Sequence, residues 1–116
     1  MGLISRIYKD RHKKRASLKR QALAETRELA CVLGEKFGAG RVLLFGSLAE
    51  KKGHFDAASD IDLAVEGLGG RFFRAYGYCM RLGKFNLDLR PYEDMPEYFK
   101  IRIEEEGDLL YEKGRS

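Results

Sequence analysis

The chain has 116 residues, 44% hydrophobic and 34% charged. That is enough for one domain with a single modest core, and too little for a catalytic domain plus a separate substrate domain. No apolar run approaches the ~20 residues of a membrane-spanning helix, and Met1–Tyr8 lacks the apolar stretch and cleavage site of a secretory signal. Two cysteines, Cys31 and Cys79, are too few for a disulfide scaffold. The expectation is a cytoplasmic protein with no membrane segment, both thiols packing as small apolar side chains.

The net charge of +4 is unevenly spread. Residues 1–20 carry eight basic side chains against Asp10 alone, a net of +7, and the remainder carries 14 basic and 17 acidic groups, a net of −3. Residues 1–17 are therefore set apart as a basic arm at the start of a long helix, with residues 18–116 as the single domain. Such an arm suits an acidic partner or nucleic acid; the solvated helix face is the preferred reading, and nucleic acid is not favoured.

Residues 10–37 read as one helix, because Leu18, Ala22, Thr26, Leu29, Leu33 and Phe37 recur at spacings of three and four. Gly38 and Gly40 stop it. Arg41–Phe45 is a short β-prone apolar run and reads as a buried strand. The polar stretch from Gly46 to Ser59 follows, its first half suited to a short helix, with a loop tip at Lys51–His54. Residues 60–65 form the second strand, ended by Gly67, Gly69 and Gly70. Residues 71–82 read as a helix with Phe72, Ala75, Cys79 and Leu82 on one face. Residues 85–90 alternate, with Phe85, Leu87 and Leu89 one way and Asn86, Asp88 and Arg90 the other, as a strand with one polar face does. Residues 97–106 form a helix closed by Gly107, and Leu109–Tyr111 is a last extended or helical segment. This alternation predicts an α/β fold, helices flanking a small sheet.

Asp60 and Asp62, at i and i+2 of a strand, share one face about 6.6 Å apart, while Ile61 and Leu63 point to the core. Asp88 joins them if its strand is a neighbour. At ~6 Å and an effective dielectric near 20, each pair of carboxylates repels by about 3 kcal/mol. Protonation, basic side chains or cations must offset this. Open carboxylate sites suit Mg²⁺, and two such ions ~4 Å apart clamp an in-line displacement at phosphorus. Gly46-Ser47 at the exit of the first strand lets backbone approach a phosphate. The spacing is not that of a Walker A loop. Arg90 shares the face of Asp88 and has two roles open to it, an ion pair with Asp88 or a phosphate contact.

The string Val42-Leu43-Leu44-Phe45-Gly46-Ser47, twelve residues, Asp60-Ile61-Asp62-Leu63 and a third aspartate on a later strand resembles the polymerase-β-type nucleotidyltransferase superfamily. Ser59–Gly67 and the closing Ile103–Tyr111 resemble, more narrowly, the minimal nucleotidyltransferases of prokaryotes. The resemblance covers about residues 18–112 and implies a nucleotidyltransferase fold with a small mixed sheet. It implies that Gly46 and Ser47 hold the triphosphate of ATP or another NTP, that Asp60, Asp62 and Asp88 are catalytic and ligate two Mg²⁺ ions, and that a nucleoside monophosphate, AMP in the leading reading, passes to a hydroxyl with release of pyrophosphate. It further implies a HEPN-type partner protein, with this chain as the antitoxin. One departure is plain: many relatives carry arginine soon after the Gly-Ser pair, whereas Leu48-Ala49-Glu50-Lys51-Lys52 follows here, so that charge comes from Lys51 or Lys52 or is missing. Two rival readings stay open, an inert binding module and a small-molecule transferase whose acceptor pocket is completed by a homo-oligomer. His12, His54 and the Phe72, Phe73, Tyr76, Tyr78 group are assigned no chemistry.

Overall fold

The computed structural model describes residues 3–50 and 54–115. Helix α1, Leu3–Cys31, continues through a π-helical turn, Val32–Lys36. Strands β1 (Arg41–Phe45) and β2 (Asp60–Glu66), helix α2 (Phe72–Leu82), strand β3 (Asn86–Pro91), helix α3 (Glu97–Glu106) and strand β4 (Asp108–Glu112) follow. The sheet order is β3-β2-β1-β4. β1 runs antiparallel to β2 and β4, and β2 runs parallel to β3, as a crossover through α2 requires. This is the expected α/β architecture with a small mixed sheet.

The sheet's two faces carry different jobs. Val42, Leu44, Ile61, Leu63, Val65 and Leu89 point to the face covered by α1 and α2, meeting Ala22, Leu29, Leu33, Ala75 and Cys79. Leu43 and Ala64 point to the other face, meeting Met95 and Ile103 beneath α3. The side chains alternate with period two, so Asp60 and Asp62 on β2, and Asp88 and Arg90 on β3, fall on this second face beyond the end of α3.

The α1 stripe packs as its spacing predicts, with Ala22, Thr26, Leu29, Leu33 and Phe37 buried. The helix begins earlier than residue 10. Three further expectations are corrected. Ser47–Ala49 form one turn, closed by the Ala49 N–H on the Gly46 carbonyl (3.1 Å), and no helix follows among the described residues. Leu48 and Phe55 both insert into the core. Leu82 is exposed, and so is Cys31, on the side of α1 away from the sheet. Cys79 is buried, and burial pushes its thiol up to about 11. Among the described residues no helix is long and apolar enough to cross a membrane.

Candidate active site

β2 and β3 are neighbours in register, with Asp60 opposite Asn86 and Asp62 opposite Asp88. Parallel neighbours lie about 4.8 Å apart and point paired residues the same way. The geometric condition on Asp88 is therefore met. Phe45 pairs with Asp62 across the antiparallel ladder, which brings the end of β1, and Gly46 after it, to the same point.

Gly46 is there for two reasons. Its φ is +73°, a conformation L side chains rarely adopt, and a Cβ built on it would stand 2.1 Å from Asp62 Oδ2. The missing side chain is the notch that receives the Asp62 carboxylate. Ser47, half-buried, opens the turn that follows. Lys51, the expected phosphate contact, and Lys52 lie outside the described residues.

Asp62 is half-buried, and its pKa is pushed up to about 6 by burial first, then by Asp88 and Asp60, with Arg90 opposing. The Arg90 guanidinium donates to both Asp88 oxygens, Nη2 at 3.1 Å from Oδ2 and Nε at 3.4 Å from Oδ1. Of the two roles open to Arg90, the structure shows the ion pair. Asp60, at the start of the strand, is exposed.

A cleft of about 310 Å³ opens beside Asp62, between the end of β1, β3 and α3. Gly46, Asp62 and Arg90 form one side, and Phe99, Arg102, Ile103 and Glu106 the other, with Phe45 packed edge-on against Phe99 at 5.6 Å. Gly107 sets the approach of α3, since a Cβ there would meet the Leu44 and Ile103 carbonyl oxygens at 2.7 Å. Arg41 ties the same helix to the sheet, bonding Glu66 at 2.9 Å and Glu104 at 2.7 Å.

Two side chains missed by sequence reasoning matter here. Arg102 stands 67% exposed in the cleft wall, bonded to Glu106 at 3.2 Å, and brings a cation to the site from α3. Glu25 on α1 accepts from the N–H groups of Lys84 (2.6 Å) and Phe85 (3.1 Å), so a helix on the far face fixes the start of β3 and with it the place of Asp88. Neither belongs to a spacing that sequence periodicity would reveal.

A hard divalent cation takes carboxylate oxygens, and it would relieve the repulsion from Asp88 and Asp60 that adds to burial in lifting Asp62. The donor set therefore fits Mg²⁺. Among the described residues no three acidic, His or Cys side chains are already gathered as a cage; Asp88 is held by Arg90.

The family described as "Polymerase beta, Nucleotidyltransferase" matches residues 27–116. A solved structure described as "Structure of putative minimal nucleotidyltransferase" superposes with a TM-score of 0.61 at 27% identity, covering 74% of this chain and 90% of that one. A comparison with curated proteins finds no significant match. The family match spans β1 to β4 and, Glu25 apart, the residues of the site described above, and the chain belongs to the polymerase-β nucleotidyltransferase family, as a member of its minimal type.

Proposed function

We propose that the chain transfers AMP from ATP to a hydroxyl of a HEPN-type partner protein, as the antitoxin of a toxin–antitoxin pair in the cytoplasm. The acceptor oxygen attacks the α-phosphorus, the bond to the bridging oxygen breaks, and pyrophosphate leaves with that electron pair. Asp60, Asp62 and Asp88 would hold Mg²⁺. When bound, the metal neutralises triphosphate charge and makes the acceptor hydroxyl a better nucleophile. The Asp88 carboxylate accepts the hydroxyl proton. Gly46 and Ser47 present backbone N–H groups and a hydroxyl to the phosphates. Arg90 and Arg102, on two sides of one cleft, supply the positive charge that other members draw from an arginine after Gly-Ser. The cleft beyond Phe45 and Phe99 takes the nucleoside.

The observation that carries this reading is the convergence of Gly46, Asp62 and Asp88 at neighbouring register positions of three adjacent elements. The test incubates the full chain, Mg²⁺ and α-labelled ATP with the purified product of the adjoining gene. Label on that product, absent with Asp62→Asn, supports the proposal. Stable binding without label, in the presence of bound ATP, refutes transfer. A second reading, an inert module that neutralises its partner by contact, is favoured by the Arg90–Asp88 ion pair, which occupies the third carboxylate.

A further inference from the structure

The side-chain bonds of α1 fix its direction. Lys19 Nζ donates to the Glu50 carbonyl at 3.2 Å, and Glu25 caps the start of β3, so residues 19–25 lie at the end of the sheet where β1 finishes and β2 and β3 begin. That is the end that carries Gly46, Asp60 and Asp62. The sixteen residues N-terminal to Lys19, at 1.5 Å each, carry the helix about 24 Å past it. The molecule is accordingly 56 Å long and 30 × 26 Å across. Residues 3–15 are exposed throughout.

The projecting part is not polar all round. Leu3, Ile4, Ile7 and Tyr8 prolong the stripe that lower down is Leu18, Ala22, Leu29 and Leu33, and they are 72%, 84%, 43% and 71% exposed. Arg11, Lys14 and Arg15 stand on the same side. The chain also displays the complementary surface. The outer face of α3 carries Tyr98 (74% exposed) and Ile101 (52%) among Glu97 and Glu105, within a stretch from Glu93 onward that has eight acidic and four basic residues.

We propose that the projecting part of α1 docks on the outer face of α3 in a second copy of this chain, in a reciprocal two-fold pair. Cations alone would fit a phosphate backbone, but four large apolar side chains on the same face require an apolar counterpart, and Tyr98 with Ile101 provides one. Stable interfaces engage roughly 20–30 residues a side. One thirteen-residue arm alone falls short, whereas arm and α3 face exchanged symmetrically give two such contacts across one two-fold axis. Each arm projects past the site end of its own sheet, so two chains meeting by those ends lay each arm along the other's body. The inner side of α3 lines the cleft. The docked arm therefore places lysines and arginines at the rim of the second copy's cleft, a consequence that rests on the nucleotide reading above.

Sedimentation of the full chain over a wide concentration range tests this. The expected result is a dimer that loosens as salt rises. Ile4→Asp with Ile7→Asp, both on exposed positions, gives a monomer with unchanged circular dichroism. Arg11→Glu with Arg15→Glu, or Glu97→Lys with Glu105→Lys, each weakens the dimer about tenfold, and the four together restore it. A monomer at every concentration overturns the proposal, as does a dimer indifferent to the arm, or a monomer whose arm binds a duplex oligonucleotide. A dimer that fails to bind ATP leaves the docking intact and sinks the nucleotide reading; an ATP-binding monomer does the reverse.

Discussion

Replacing Asp62 by Asn removes one negative charge from the most crowded point of the site while keeping the side chain's size. A carboxyl raised from its ordinary 3.8 to about 6 in the folded chain favours the unfolded chain once it ionises. The difference corresponds to about 3 kcal/mol, and solvent screening at a half-exposed group reduces it to ~1–2 kcal/mol. The folded chain holds this proton more tightly than the unfolded chain. Stability therefore falls as pH rises from about 4 to about 6 and stays lower above that. Asp62→Asn is expected to stabilise the metal-free protein by ~1–2 kcal/mol near pH 7.5, a rise of about 4–8 °C in Tm. The gain shrinks below about pH 6 and is gone near pH 3.5. Thermal melts by circular dichroism in chelator, across that range, read it directly. Added Mg²⁺ is expected to raise the Tm of the unmodified chain and leave Asp62→Asn unmoved. A variant that is neutral or less stable near pH 7.5, or whose gain persists in acid, refutes the electrostatic account of the site.

Gly46→Ala forces a side chain into a left-handed backbone and against Asp62 Oδ2. It is expected to cost about 1–3 kcal/mol in chemical denaturation and to abolish the Mg²⁺ effect on Tm. Arg102→Ala, at an exposed position paired with Glu106, is expected to weaken ATP binding about tenfold by calorimetry with no change in Tm; unchanged binding removes Arg102 from the site. Gly34→Ala serves as a control away from the cleft. Its Cβ would meet the Tyr111 ring at 2.2 Å, so a loss of about 1–3 kcal/mol is expected, with ATP affinity retained below the melt.

Much of the fold was legible because its elements carry strong local periodicity. The α1 stripe and the alternation of residues 85–90 follow from spacing, the two buried strands from short apolar β-prone runs bounded by glycines, and β2 with β3 then carries Asp62 and Asp88 to one face. What was not legible depends on contacts between distant segments. Among the described residues no helix follows Gly46, where Leu48 and Phe55 are both drawn into the core, a constraint that no window of the Gly46–Ser59 stretch displays. Arg102 was hidden for a similar reason. On its own helix it is one of several surface charges, and it becomes a wall of the cleft only because glycine at position 107 lets α3 press onto β1.

The chain's charges are segregated along the same axis as its chemistry. Glu50, Asp60, Asp62, Asp88 and Glu106 crowd one end of the sheet, and within the described body only Arg90 and Arg102 answer them at the cleft. A nucleoside triphosphate adds further negative charge to that end. Leu48-Ala49-Glu50 after Gly46-Ser47 adds a further negative charge, and the next cations, Lys51 and Lys52, lie outside the described residues. The six basic side chains of residues 3–18, set against Asp10 alone, project past this same end. They lie too far along their own helix to fold back onto the cleft of the same chain, since α1 is continuous from Leu3 to Cys31. A deficit at one end and a rigid surplus beyond it are resolved most directly between two molecules, which is why the arm and the site are best understood as parts of one assembly.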